Sequence, residues 1–396
     1  MNELVGRLLL GGRLVAGRLR FADGRIVAVV PDASGELARS AAELPIVAPG
    51  FIDLHIHGFG GFDPLDDLAG MATALAAAGT TAFQPTMFPS APGLLGAACE
   101  RVWRAAAAFA AFAPFAAFDR APRARVVGLH LEGPFVNPLR AGALPPDDLA
   151  APSREGLRAI LGPATGSGRG VRTMTLACEL SGAGELIGEL VRSNVRVSLG
   201  HSQATAAEAR AAAKVGASGA THLFNAMGPL HHREIGLVGF ALAKDALFAE
   251  IIGDLVHVGA DAFELALAAR GPEGLCLVSD ALQGAGTGCE HFESHGRSHV
   301  VHSGTAYYAP RDPHGAPQLA GSAMSQHQMV QRLVARGVVS VEDALTMAST
   351  SPARALGLER ELGTLAVGLR ADLVVLDPTT LALRDVLVGG ERLPRQ

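Results

Sequence analysis

From residue 47 onward, short β-like runs alternate with Ala/Leu-rich helical stretches, and this alternation is the strongest constraint on the fold. The runs are "IDLHIH" (52–57), "TTAFQPTM" (80–87), "RVVGLHLEG" (125–133), "RTMTLACE" (172–179), "VRVSLGHS" (195–202), "GATHLFNAM" (219–227), "FAEIIGD" (248–254) and "LCLVSDA" (275–281). Between them lie amphipathic stretches such as "GAGELIGELVRSN" and "ATAAEARAAAKVGA". Eight βα units predict a (β/α)8 barrel over 47–358, a fold whose chemistry sits at the C-terminal ends of its strands. The polar residues that interrupt the apolar runs fall at those ends: His55 and His57, Glu132, His201, His222, His257 and Asp280. Residues 1–46 and 359–396 read differently, as short strands with Gly, Asp and Pro turns. Neither end alone has enough strands to bury a face, so the two are expected to pair into a small β-sandwich domain. The segment 288–322 is polar and turn-rich, and reads as a hairpin-like excursion near the barrel mouth with solvated histidines (His291, His295, His299, His302, His314).

The strand-end residues share one chemistry. His55 and His57 are two apart, so on a strand they face the same way and can grip one cation through ring nitrogens. Glu132 closes an apolar run and is followed by Gly-Pro, where a carboxylate is costly unless paired or metal-bound. His130, two residues before it, reads as a core histidine. His201 and His222 each close a run, and Asp280 ends the eighth. Any one of these alone is better explained as a hydrogen-bonded core residue. Together they read as a metal constellation.

Composition removes other classes. The net charge of −5 over 396 residues argues against a nucleic-acid or anionic-membrane partner. The four cysteines are far apart with no C-x-x-C spacing, so neither a disulfide framework nor a thiolate zinc site is signalled. The N-terminus lacks the apolar core of a signal peptide. The apolar stretch 104–118 is short and interrupted by Pro114, so no membrane span is expected and a cytoplasmic location is the default.

The segments "APGFIDLHIHG", "GLHLEGPFVNP", "SLGHSQAT", "THLFNAMGPLHHRE", "GDLVHV", "VSDA", "LAGSAM" and "GTLAVGLRADLVVLD" resemble, in order and over essentially the whole chain, the N-acetylglucosamine-6-phosphate deacetylases of the amidohydrolase superfamily. The resemblance implies that Glu132, His201 and His222 hold the main catalytic metal, and that His55 and His57 belong to a second site, with Glu132 bridging both. It implies Asp280 as the catalytic acid/base and Arg233 as the phosphate-binding arginine. Ala143, Asn225, Ala226, His257 and Leu319-Ala320-Gly321 match further substrate contacts. One or two divalent ions are implied (Zn, Fe, Mn or Co), since the donor set lacks thiolate. The ion would lower the pKa of bound water from about 15.7 to about 7 and polarise the amide carbonyl. The implied substrate is a phosphorylated amino sugar and the implied assembly a homodimer.

Two departures from the pattern stand out: Leu144 occupies a place often held by His or Gln, and Ile235 follows "HRE" where Pro is usual. The first bears on which sugar is held. Rival readings are an N-acetylgalactosamine-6-phosphate deacetylase, a hydrolase of cyclic amides, and a non-catalytic barrel. The cyclic-amide enzymes typically bridge two metals with a carbamylated lysine at the end of the fourth strand. That strand here ends in "ACEL", and Lys214 and Lys244 lie elsewhere.

Overall fold

The structure, a computed structural model, describes residues 1–35, 37, 42–111, 122–162, 168–243, 247–309 and 318–394. Lys244, His314 and the 112–118 part of the apolar stretch with Pro114 lie outside the described residues. Strands β1 (Asn2–Leu10), β2 (Arg13–Ala22), β3 (Arg25–Pro31) and β4 (Ile46–Pro49) lead into the first barrel strand, β5 (Phe51–Ile56). The barrel continues through β6 (Thr80–Met87), the short β7 (Arg125–Val126), β8 (Leu129–Glu132), β9 (Val171–Leu176) and β10 (Arg196–Leu199). It ends with β11 (Gly219–Ala220), β12 (Phe248–Ile252) and β13 (Leu275–Val278). These strands pair in parallel in the order β5-β6-β8-β9-β10-β11-β12-β13, with β7 beside β6. A parallel bridge between Ile56 and Ala281 closes the ring. Two backbone bonds flank that bridge, Asp280 N–H to His55 C=O (2.9 Å) and His57 N–H to Ala281 C=O (2.9 Å).

All eight expected runs are strands, and the amphipathic stretches between them are helices. The helix Ala206–Val215 starts with a capping box between Thr205 and Glu208 and stops at Gly216, whose φ of +119° suits glycine. The helix Ala183–Arg192 buries Ala183, Leu186, Ile187 and Leu190, residues at helical spacing on one face.

The termini form one seven-stranded sheet, adding β18 (Leu373–Leu376), β19 (Leu383–Val388) and β20 (Glu391–Arg392) in the order β20-β19-β18-β4-β1-β2-β3. Period-two alternation divides its apolar residues between two cores. Leu8, Val47, Leu373, Val375 and Leu387 enclose a small core with Leu19, Phe21 and Ile26. Their neighbours Leu9, Ile46, Ala48, Val374, Leu376, Val386 and Val388 face the barrel core. One face of the sheet is thereby fastened to the barrel.

The segment after β13 differs from the expected loop excursion. It forms a four-stranded antiparallel sheet of β14 (His291–Ser294), β15 (Arg297–His302), β16 (Thr305–Tyr308) and β17 (Gln318–Ser322). Its histidines are not all solvated. His299 is buried and stacks on Phe292, and His295 Nε2 lies 2.9 Å from Asp63 Oδ2. Alternating aromatic and β-branched residues here outweigh the Gly and Pro that suggested a loop.

Gln326 fastens the first barrel strand to the last. Its Nε2 donates to the carbonyls of Ile52 (2.9 Å) and Leu277 (2.8 Å), and its Oε1 accepts from Thr80 Oγ1 (3.2 Å), all buried. Gln326→Ala strands three buried groups at about 1–3 kcal/mol each before relaxation. We expect a net loss of about 2–4 kcal/mol in urea unfolding. A loss under about 1 kcal/mol would show that the closure does not depend on this amide.

Candidate active site

Six side chains from distant parts of the chain meet at the C-terminal mouth of the barrel. Glu132 ends β8, His55 lies on β5 with His57 just beyond, and His201, His222 and Asp280 follow β10, β11 and β13 within two residues. Glu132 Oε1 lies 2.9 Å from both His201 Nε2 and His222 Nε2, which are 3.0 Å from each other. Its second oxygen, Oε2, lies 3.2 Å from His57 Nε2. His55 Nε2 is 3.2 Å from His57 Nε2, and Asp280 Oδ1 is 3.5 Å from both of these nitrogens. The imidazoles and Glu132 are buried, whereas the Asp280 side chain keeps 14% exposure toward the mouth.

Backbone strain aims three of these groups. His201 (φ +48°), His222 (φ +29°) and Asp280 (φ +46°) occupy the left-handed region, which costs a non-glycine residue about 1–2 kcal/mol. Leaving the extended conformation turns each side chain off its strand's alternation. Backbone bonds hold each one: Asn137 N–H to His201 C=O and Ser322 N–H to Asp280 C=O from other segments, and Asn225 N–H to His222 C=O within its own turn. This strain also ends the strands earlier than expected, so that β11 spans only Gly219–Ala220.

The proton count shows what the cluster requires. His201 Nδ1 lies 2.8 Å from the Arg140 carbonyl, which can only accept, so Nδ1 carries the hydrogen. The Nε2 of a neutral His201 then points a bare lone pair at the Glu132 carboxylate. His55 repeats the pattern, with Nδ1 3.3 Å from Glu250 Oε2 and Nε2 facing Glu132 at 3.6 Å. Acceptors that face acceptors in a buried site repel unless positive charge sits among them. In the protein alone, protons meet that need. Burial pulls the His55 pKa down, but the charges of Glu132 and Asp280 hold it well above the ordinary histidine value. Burial pushes Glu132 up, and the His55 charge with the His201 and His222 hydrogen bonds outweighs it, holding Glu132 well below the usual carboxylate range. Asp280 is likewise lowered: burial opposes, but His55 and His57 prevail. A divalent cation would supply the same charge without protonated ligands, so the donor set fits one. Two overlapping groups can hold an ion, Glu132 with His201 and His222, and Glu132 with His55 and His57.

A third group, His55, His130 and Glu250, also brings donor atoms close. His130 is already satisfied, with Nδ1 3.1 Å from the Leu54 carbonyl and Nε2 2.8 Å from Thr175 Oγ1. Burial first, then the His55 charge, lowers its pKa to about 3, so it is neutral. It is a core histidine.

The remaining expected residues are placed unequally. His257 Nδ1 lies 2.7 Å from Asp254 Oδ2, and burial opposes a rise in its pKa that Asp254 and Asp280 enforce. β17 runs against the end of β13 through the Ser322–Ala281 bridge, which brings Leu319, Ala320 and Gly321 near Asp280. Ala143 C=O accepts from Tyr308 Oη (2.9 Å), and Ala226 lies against Gly142 beside His201. Asn225 Nδ2 bonds to the carbonyls of His222 and Leu223 (both 3.3 Å). Leu144 is buried at 3% exposure and offers no polar group. Arg233 stands apart on the exposed turn after β11, where its Nη1 is 3.1 Å from His232 Nε2. Sequence reasoning passed over Asp254, Arg196 and Glu250. A carboxylate inside the apolar run "FAEII" was the available signal for Glu250.

A closed parallel barrel with a buried His/carboxylate centre at its mouth is the architecture of a metal-dependent hydrolase. The model of the Amidohydrolase family matches residues 46–392, and the chain belongs to this family. It is 34% identical over 381 residues to the N-acetylgalactosamine-6-phosphate deacetylase of Escherichia coli O157:H7, covering 94% of each chain. It is 35% identical over 408 residues to the N-acetylglucosamine-6-phosphate deacetylase of Homo sapiens, covering 97% of this chain and 93% of the other. A mutant N-acetyl-D-glucosamine-6-phosphate deacetylase from Mycobacterium smegmatis, solved in complex with N-acetyl-D-glucosamine-6-phosphate, superposes with a TM-score of 0.84. It is 31% identical, with 98% of each chain covered.

Chelator-stripped protein should melt several degrees lower than protein reloaded with Zn²⁺, since binding to the folded state alone adds about 4 kcal/mol at a thousandfold excess over Kd. An unfolding midpoint unmoved by Zn²⁺ would contradict a cation centre.

Proposed function

We propose that the chain hydrolyses the N-acetyl amide of N-acetyl-D-glucosamine 6-phosphate, releasing acetate and glucosamine 6-phosphate. The observation that carries this reading is the meeting of Glu132, His201, His222, His55, His57 and Asp280 at one barrel mouth, in a chain similar over nearly its full length to deacetylases of this substrate class. In this reading Glu132, His201 and His222 hold the principal ion, while His55 and His57 share Glu132 with a second. When bound, a divalent ion supplies Lewis acidity toward water and the amide carbonyl. Nitrogen and carboxylate donors without thiolate suit Zn, Fe, Mn or Co.

The protein's own groups do the rest. Asp280, ionised and reaching the mouth, takes a proton from the attacking water and returns it to the departing nitrogen, because an amine leaves poorly as an anion. His257, its Nδ1 committed to Asp254, turns its other nitrogen to the acetyl oxygen or a sugar hydroxyl. Arg233 binds the phosphate through paired hydrogen bonds. Asn225, Ala226, Ala143 and Leu319-Ala320-Gly321 contact the sugar.

N-acetylgalactosamine 6-phosphate is the second reading, favoured by 34% identity to an enzyme named for it. Cyclic-amide hydrolysis through a bridging lysine is disfavoured: Lys214 lies in the helix Ala206–Val215, and β9 is followed by Glu179, which accepts from Ser202 and Asn137. Among the described residues no helix is long and apolar enough to cross a membrane, and a phosphorylated substrate supports the expected cytoplasmic location. A homodimer is the assembly expected from the resemblance, and light scattering tests it.

The decisive assay is acetate release by metal-loaded protein from both hexosamine phosphates, and no release from either would end the reading. Asp280→Asn should abolish turnover while metal content stays near wild type; substantial residual activity would remove Asp280 from the proton transfer. Arg233→Ala should raise KM for the phosphorylated sugar by an amount matching about 1.5–3 kcal/mol, and equal effects on unphosphorylated sugar would contradict a phosphate contact.

A further inference from the structure

Glu250 is the third residue of β12 and Arg196 opens β10, so both lie deeper in the barrel than the mouth. Their side chains are 0% and 7% exposed, with Arg196 Nη1 3.3 Å from Glu250 Oε1. Among the described residues, Arg196 Nε and Nη2 have no hydrogen-bond partner, so Glu250 is the only group holding this guanidinium. A buried ion pair of this kind is weak evidence for stability, because desolvation offsets the attraction and an apolar pair would fill the same space. The other buried polar groups of this layer bond mainly among themselves, Thr173 to Gln84 and Thr175 to Thr221 to Ser198. Glu250 instead turns its free oxygen, Oε2, to His55 Nδ1 at 3.3 Å.

The four other site imidazoles are treated differently. His201 Nδ1 meets a backbone carbonyl, while His57 Nδ1 and His222 Nδ1 have no partner among the described residues. His257 is tied to Asp254 and belongs to neither of the two donor groups. Of the five imidazoles in the two donor groups and at the mouth, only His55 among the ion-facing ones is backed by a carboxylate. A carboxylate behind a ligating imidazole fixes the tautomer and raises its basicity. We propose that Glu250, itself held by Arg196, is a positioning residue for the second divalent ion: it accepts the Nδ1–H of His55 and commits Nε2 to the cation shared with His57 and Glu132. The proposal rests on the metal reading above.

The test is Zn²⁺ binding to chelator-stripped full-length protein, followed by titration calorimetry and elemental analysis. Wild type should take two equivalents. Glu250→Gln should keep one at wild-type affinity and bind the other about 10–100-fold more weakly. Because that variant leaves Arg196 buried and unpaired, the double variant E250Q/R196M, which removes the charge, is measured beside it and should show the same selective loss. Unchanged affinity at both positions in either folded variant overturns the proposal, as does equal weakening at both. A wild type that takes one equivalent and still releases acetate overturns the proposal and leaves the deacetylase reading standing. Two equivalents with selective loss, but no acetate release by wild type, supports the proposal and defeats that reading.

Discussion

Everything at the mouth of this barrel follows from one electrostatic constraint: imidazole lone pairs directed at a buried carboxylate. His201 and His55 have each spent their Nδ1 hydrogen on an acceptor behind the ring, so their inner nitrogens cannot donate to Glu132 while neutral. Positive charge must sit among these groups. The fold meets that demand with costly local geometry, since three of the surrounding residues adopt left-handed backbone. A core assembled for stability alone would hold neither the strained strand ends nor the converging acceptors.

The layers beneath and around the site make this geometry rigid. Closure of β5 on β13 runs through the backbone of His55, His57, Asp280 and Ala281, so the bonds that complete the barrel also set the spacing between the H-x-H pair and the acid. The four-stranded inserted sheet braces the same region from outside. Thr305 Oγ1 donates to Asp254 Oδ2, Ser322 N–H donates to Asp280 C=O, and Tyr308 Oη donates to Ala143 C=O. A flexible loop would leave these anchors free, and the function of the site depends on placement to fractions of an ångström.

The barrel and the residues at its strand ends were legible in the sequence because period and position carry them. Apolar runs broken at their ends by His, Glu or Asp are a one-dimensional trace of a three-dimensional mouth. The inserted sheet was not legible. Its strands are short, and Gly296 and Gly304 mark tight turns between them rather than a loop. Glu250 and Arg196 were missed for another reason: each is a lone charge whose partner lies more than fifty positions away, and nothing local shows that the two meet. His130 illustrates the converse. Two residues before Glu132 it could have been counted with the donors, but it reads as a core histidine, and both of its nitrogens are spent on Leu54 and Thr175 inside the wall.

Exposure grades the site by role. Glu132 and the four imidazoles around it are almost sealed, Asp280 is partly open, and Arg233, on the turn after β11, is exposed. Groups that only hold a cation gain from being sealed, because water competes for the ion and lowers the field that it exerts. A group that exchanges protons with water and substrate must be reached, and Asp280 is the one acid of the cluster that can be. A charged group that grips the far end of a substrate works best where desolvation is small and approach is unhindered. In the proposed reading, an elongated ligand with its amide at the sealed centre would extend outward past Asp280, and its anionic end would be the part that Arg233 receives.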